Sequence, residues 1–343
     1  IHVQTIDCFA RLVTPESPFP ELLERSQLNP VTGPIYIEGS NPGDILAVTL
    51  HDIQPNGVGV ACCGSHSGQL GHLMKEKGRT YTKFFDLIST KTSTNNKYNN
   101  GNNNIKRTNG NNSNTMVVMR DDDDDLGTTT FPQKKKIAPI SFPLRPMLGV
   151  IGVAPSSPIS TMPAGTHGGN LDNKLNGIGS TIYITINHEG GLLSIGDMHA
   201  SQGDGEISGT GVEIGGDVLL SCRVLTQNQV YNNSNNNNRN NNDNDNNRIC
   251  RFPITETSTD FITHGVLVED IPQCTNLACE EAAKLLCGQW NFTPEEAFIF
   301  LSVRGDLGLC QSCHPDQGTQ IARMVIPKLD ACPRPFRCLL EEE

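Results

Sequence analysis

Glycine and proline cut this chain into short β-prone runs, and that punctuation limits its fold more than any other feature. The 343 residues include 33 Gly and 21 Pro. Ile35-Tyr36-Ile37 is followed by Gly39, by Asn41-Pro42-Gly43-Asp44, and then by the apolar run Ile45 to Leu50. The pattern reads as strand, turn, strand, because β-branched and apolar residues are bounded by residues that set turn dihedrals. Further strands fit 148–153, 180–186, 206–214, 217–225 and 262–268. No repeated strand–helix alternation accompanies them. The expected fold is mainly β.

A smaller α+β part should follow. Leu277, Ala278, Glu281, Ala282, Leu285 and Leu286 recur at helical spacing within 275–290. Next, Thr293-Pro294-Glu295-Glu296 has the signature of a helix start: a capping Thr, Pro in the first turn and Glu three positions on. A short helix and then a strand near 297–303 are predicted there.

Two tracts interrupt the pattern. Residues 95–114 hold 11 Asn in 20, and 231–247 hold 12 Asn in 17. Segments this polar bury too little apolar area to offset their ordering entropy, so both are expected to be disordered insertions. The resulting organisation is an N-terminal β part (1–85), a low-complexity insertion (86–139), a central β region (140–230), an Asn-rich insertion (231–247) and a C-terminal α+β part (248–343).

The formal charge of −11 argues against nucleic acid as a partner, since that role needs a basic surface. The run Lys134-Lys135-Lys136 is short and reads as a solvated patch. No apolar stretch reaches 18 residues, so no membrane-spanning helix is expected. Twelve Cys, two of them adjacent at Cys62-Cys63, read as reduced thiols in a cytoplasmic protein, because a chain this long can build a core without disulfides.

The chemistry-bearing residues concentrate between 161 and 216. A Gly/Asn-rich loop carries His167 and Asp172. Asp197 and His199 stand two apart in a strand-like run, which puts them on one face with Met198 turned the other way. Such a pair can ligate a metal, or act as a base with its orienting group. Asp204 and Glu206 flank Gly205, and Glu213 lies one strand further on. Carboxylates beside a metal suit the activation of water. Other motifs carry less. Cys310-Gln311-Ser312-Cys313-His314 fits a haem-attachment pattern formally but reads as a turn with two thiols. Ser156-Ser157 lacks the Gly-x-Ser-x-Gly elbow of a serine nucleophile.

The runs LGVIGVAP (148–155), MPAGTHGGNLD (162–172) and SIGDMHASQGDGE (194–206) resemble the acetamidase/formamidase family. Weaker echoes are GPIYIEGSNPGD (33–44), EEAAKLLCG (280–288) and PEEAFIFLS (294–302). The resemblance implies a β-sandwich-like body and a cytoplasmic, self-associating, metal-associated hydrolase that cleaves formamide or acetamide to carboxylate and ammonia. It makes His167, Asp172, Asp197 and His199 the expected ligands of a divalent metal, Zn²⁺ ahead of Ca²⁺ or Mg²⁺. Glu206 is the first choice for the general base, with Glu213 and then Asp204 behind it. Relatives begin with a further N-terminal segment, so a chain that starts at Ile1 is expected to lack part of it. The rival function is a β-sandwich module that binds a small molecule or carbohydrate without catalysis. With one Trp and five Tyr, the supply of stacking platforms for it is thin.

Overall fold

The computed structural model describes residues 1–18, 23–65, 68–74, 78, 80–89, 115–120, 140–226, 251–268, 270–313 and 319–329. Both Asn-rich tracts, the lysine triplet and His314 fall outside the described residues.

Among the described residues, sixteen strands run in chain order. The first eight are β1 (His2–Thr5), β2 (Val31–Ile35), β3 (Ile45–Gly64), β4 (Thr80–Ser89), β5 (Thr115–Met119), β6 (Ser141–Pro143), β7 (Met147–Gly152) and β8 (Ala164–Gly165). The rest are β9 (Gly168–Asn170), β10 (Thr181–Thr185), β11 (Leu193–His199), β12 (Glu213–Leu225), β13 (Ile254–Glu256), β14 (Asp260–Val268), β15 (Asp306–Gln311) and β16 (Thr319–Pro327). Helix α1 (Ile271–Trp290) and helix α2 (Pro294–Arg304) lie between β14 and β15.

The mainly β class is as expected, and among the described residues the ladder is one continuous 16-stranded sheet. Its main path runs β15-β16-β14-β13-β10-β3-β12-β11-β7-β9-β8. β8 at one end of this path packs near β14 toward the other, so the sheet curls back on itself. Alternate residues of the central strands fill the interior: Leu46, Val48 and Leu50 from β3, Ile182 and Ile184 from β10, and Leu148 and Met198 from β7 and β11. All seven are fully buried, and burying each such side chain stabilises the fold by about 1.5–3 kcal/mol.

The C-terminal α+β part packs a second core. α1 buries Ala278, Ala282, Leu285 and Leu286 against β14 and β16. It starts at Ile271, four residues before the predicted start, because Asp270 caps it by accepting a hydrogen bond from the Gln273 amide at 2.8 Å. A side chain on Gly265 of β14 would collide with the α1 backbone at Cys274 and Ala278, so this glycine sets the close helix–sheet approach.

Two sequence expectations need correction here. The strand near 297–303 is helix: the Thr293/Glu296 capping box starts α2, which continues to Arg304. Ala297 and Leu301, four apart, supply its buried stripe, so packing overrides the β propensity of Phe298, Ile299, Phe300 and Val303. The strand at 206–214 is also replaced, by turns up to Val212, and regular pairing begins at Glu213.

Candidate active site

The site forms where distant parts of the curled sheet meet. β11 ends in Asp197 and His199, β12 begins with Glu213, and His199 and Glu213 are direct cross-strand partners. β9 runs out into Leu171 and Asp172, whose backbone amides both reach the Gly149 carbonyl on β7. The 201–206 turn delivers Glu206, and β15 delivers Gln311.

Three of the acidic residues have left-handed backbones: Asp172 at φ 44°, Asp197 at φ 51° and Glu206 at φ 42°. Residues with a side chain rarely adopt this conformation, and it persists only where the surroundings enforce it. The kink at Asp197 replaces the simple alternation read from the sequence, yet it still brings Asp197 beside His199. Gly149 leaves the space: a Cβ there would collide with the carboxylates of both Asp172 and Asp197.

His199 is fully buried at the centre. Its Nε2 lies 3.1 Å from Glu213 Oε2, 3.5 Å from Asp197 Oδ1 and 4.0 Å from Asp172 Oδ1. On its other side, Nδ1 meets Gln202 Oε1 at 2.7 Å. The Gln202 amide nitrogen donates to the Asp172 and Cys310 carbonyls, which fixes the amide's orientation. Gln202 Oε1 therefore accepts from Nδ1–H, and Nε2 is left facing the carboxylates. A backbone or side-chain oxygen holding Nδ1–H in this way is the usual support for a metal-binding imidazole.

Four carboxylates surround this one ring. Gln311 Nε2 ties two of them together, donating to Asp172 Oδ2 at 2.5 Å and to Glu206 Oε2 at 3.2 Å. Glu213 Oε1 accepts from the Gly211 amide at 2.7 Å. Among the described residues at the site, three buried atoms keep no hydrogen-bond partner: Asp172 Oδ1, His199 Nε2 and Glu213 Oε2. Orphaned buried polar atoms are costly, and here they converge.

The electrostatics follow from burial and crowding. Burial, with Glu206 and Asp197 nearby, raises the Asp172 carboxyl well above the ordinary range. Burial pushes Glu206 up to about 7 and Glu213 up to about 8. For Asp197 burial pulls upward too, but the charge of nearby His199 prevails and lowers it. Burial opposes a charge on His199, yet Glu213 and Asp197 outweigh it and raise the imidazole well above its usual range.

Two groups of mutually close ligand atoms result, all buried: Asp172 with His199 and Glu206, and Cys8 with Asp197 and Glu213. Such a donor set, net negative and short of partners, suits a divalent cation. Of the residues singled out in the sequence, Asp172, Asp197, His199, Glu206 and Glu213 are brought together. His167 sits in the turn between β8 and β9, near Gly165 and Gly169, and belongs to neither group. Burial lowers its pKa. Asp204 turns outward to Arg323, at 2.8 Å, and to Lys174, at 2.9 Å. Although partial burial works against it, these two cations lower its pKa. Sequence reasoning missed Cys8, Gln202 and Gln311. Gln202 stands within the quoted SIGDMHASQGDGE run, a signal that was available.

Residues 2–162 and 157–307 match the profile of the acetamidase/formamidase family, and the chain belongs to that family. The acetamidase structure from Bacillus halodurans superposes with a TM-score of 0.69 at 28% identity, covering 95% of this chain and 88% of that one. The structure of a predicted acetamidase/formamidase from Thermoanaerobacter tengcongensis gives 0.68 at 28% identity, over 95% and 86%. The formamidase of Methylophilus methylotrophus is 27% identical over 210 residues, which is 57% of this chain and 51% of that protein. The chain spans about half or less of the length of the curated relatives it matches.

Proposed function

We propose that this chain hydrolyses a short linear amide, formamide or acetamide, to the carboxylate and ammonia. The convergence of three partnerless buried atoms, Asp172 Oδ1, His199 Nε2 and Glu213 Oε2, carries the reading, because it is the arrangement a cation would complete. Family membership and the two structural likenesses at 28% identity support it.

Asp172, Asp197, His199 and Glu213 would hold the ion, with His167 outside the set. Mixed imidazole and carboxylate donors suit Zn²⁺, while an oxygen-only set would suit Ca²⁺ or Mg²⁺. When bound, a divalent ion supplies polarisation of the amide carbonyl and a lowered pKa for water.

The remaining work falls to the chain itself. Glu206 is buried, which raises its carboxyl to about 7 in the metal-free protein, and Gln311 holds it without locking it in an ion pair. A base with a pKa near the working pH both takes and returns protons efficiently. Glu206 therefore takes a proton from the attacking water and delivers it to the departing nitrogen. Glu213, the second choice from the sequence, is placed among the ligands instead. Asp204 is third, because its two cations hold it ionised and outward-facing. Gln202 and Gln311 fix His199 and the paired carboxylates, so little reorganisation is left to the reaction.

The cell context in this reading is cytoplasmic and homo-oligomeric, with no nucleic acid or membrane partner. The nine described cysteines are all free thiols, which suits a reducing compartment. No helix among the described residues is long and apolar enough to cross a membrane. The outward face of α2 exposes Phe298 at 77%, Ile299 at 65% and Val303 at 71%, a patch suited to self-association. Ammonia release from formamide and acetamide, before and after chelation and metal return, tests the reading. Folded, metal-replete protein that releases no ammonia from any short amide would count against it and favour a binding role.

A further inference from the structure

The N-terminal segment brings a thiol to the site. Cys8 Sγ lies with one ligand atom each of Asp197 and Glu213, all three within 4.8 Å of one another and all buried. The segment is held there from several directions. β1 pairs with β12 through His2↔Leu219 to Thr5↔Gly216. A side chain on Gly215 would collide with the backbone at Thr5 and Ile6, so this glycine lets the segment pass close to Glu213. Asp7 Oδ1 then accepts from the Phe9 amide at 2.9 Å and the Arg11 amide at 3.1 Å, closing a tight turn around Cys8. The Cys8 carbonyl accepts from the Asn29 amide at 2.8 Å. Phe9 and Val13 anchor the turn in an apolar cluster with Val60, Cys62 and Phe84.

The thiol's neighbours point to a ligand independently. Glu213 Oε2 is buried and without a partner, and so is His199 Nε2 at 3.1 Å from it. We propose that Cys8 is a thiolate ligand of the metal centre, sharing a cation with Asp197 and Glu213 and giving the site a soft donor. The proposal rests on the metal-dependent reading above. It adds that the centre selects a zinc-class ion over calcium and magnesium, because thiolate favours the softer ion while carboxylates alone favour the hard ones. On metal binding the Sγ–H proton passes to solvent, since a coordinating thiol is deprotonated outright.

Cobalt(II) uptake tests this by spectroscopy. The whole chain is stripped with a chelator and titrated with Co²⁺. Metal content is measured alongside the ultraviolet thiolate-to-cobalt charge-transfer band. Wild type is expected to take up cobalt and to show the band. Cys8→Ser should lose the band, whereas Cys222→Ser and Cys313→Ser should keep it. The Cys313 variant is the demanding control, because its Sγ lies 3.9 Å from Glu206 Oε2. X-ray absorption at the zinc edge of wild type needs no variant, and it should show one sulfur at about 2.3 Å. Cobalt uptake without the band, a band that survives in Cys8→Ser, or a zinc shell of nitrogen and oxygen alone overturns the ligand assignment and leaves the metal-dependent reading standing. Failure of wild type to take up either ion overturns both.

Discussion

His199 and Glu213 face each other as cross-strand partners, and their Nε2 and Oε2 atoms stand 3.1 Å apart with neither in a hydrogen bond. The contact has the length of an ion pair without its alignment. A cation placed among these atoms and their carboxylate neighbours would satisfy them together, which is why the site's behaviour should depend on whether a metal is present.

Stability of the metal-free protein should fall as pH rises from about 4.5 to about 8. Glu206 and Glu213 have folded pKa values of about 7 and about 8 against an ordinary 4.5. In that window the folded state binds more protons than the unfolded one, so the slope of unfolding free energy with pH is negative. His199, raised above 6.5, adds a slope of the same sign once the pH exceeds its unfolded value. Asp172, raised by burial, adds the same sign, and lowered Asp197 contributes a constant amount across the window. Buried His264, lowered to about 4, and His167, also lowered, act with opposite sign below about pH 6.5, so the fall is steepest above it. Tm measured by calorimetry in chelator should drop from pH 5 to pH 8, and Zn²⁺ should remove most of that drop. A Tm that rises through the window would contradict the assignment of raised carboxyls.

Glu206→Gln should lower kcat by about 10²–10⁴-fold while the protein stays folded. Activity should be lost as pH falls, because the base must be ionised, and the acid limb of kcat/KM should lie below the metal-free Glu206 value of about 7, since a bound divalent cation favours the carboxylate. That limb should disappear from the residual activity of the variant. Asp204→Asn is the comparison: it breaks the contacts to Arg323 and Lys174 but should leave the limb in place. Circular dichroism and steady-state ammonia release on both variants decide it. Near-normal turnover in Glu206→Gln would overturn its assignment as the base.

Much of this site was legible because its residues sit in one stretch. Asp172, Asp197, His199, Glu206 and Glu213 all fall within 161–216. Strand spacing suggested that Asp197 and His199 belong together, although the left-handed turn at Asp197 was hidden. Gln311 and Cys8 were not legible. Gln311 lies 139 positions from Asp172 and 105 from Glu206, and only the curl of the sheet brings them together. The second helix shows the opposite failure. Phe298, Ile299 and Val303 look like strand residues, but the capping box and the Ala297/Leu301 stripe decided the outcome. In the fold, period-2 and turn signals found the central strands, while pairing across the chain joined them into one sheet.

Phe298→Glu on α2 should shift self-association without unfolding the chain. The side chain is 77% exposed, so the substitution costs little in the isolated subunit, and it places a charge in the apolar face with Ile299 and Val303. Sedimentation velocity should show a smaller species for the variant than for wild type. An unchanged distribution would mean that this face is not where subunits meet.

Gly149→Ala should disable the site more than its single methyl suggests. Gly149 lies on β7, and a Cβ there would run into both the Asp172 and Asp197 carboxylates as well as the Asp197 carbonyl. None of these neighbours is the free end of a flexible chain. Asp172 and Asp197 are buried and have left-handed backbones, and the Asp172 amide also reaches the Gly149 carbonyl. Overpacking of a tight interior typically costs about 1–3 kcal/mol in stability. Here the displaced groups are also those proposed to hold the metal, so metal affinity should fall together with Tm. Gly203→Ala gives the reference: it lies in the turn that leads to Glu206, yet a Cβ there meets nothing within 4 Å. It should keep both Tm and metal affinity near wild type. Equal effects from the two substitutions, by thermal melts and by metal titration, would mean that Gly149 does not set the spacing of the two carboxylates.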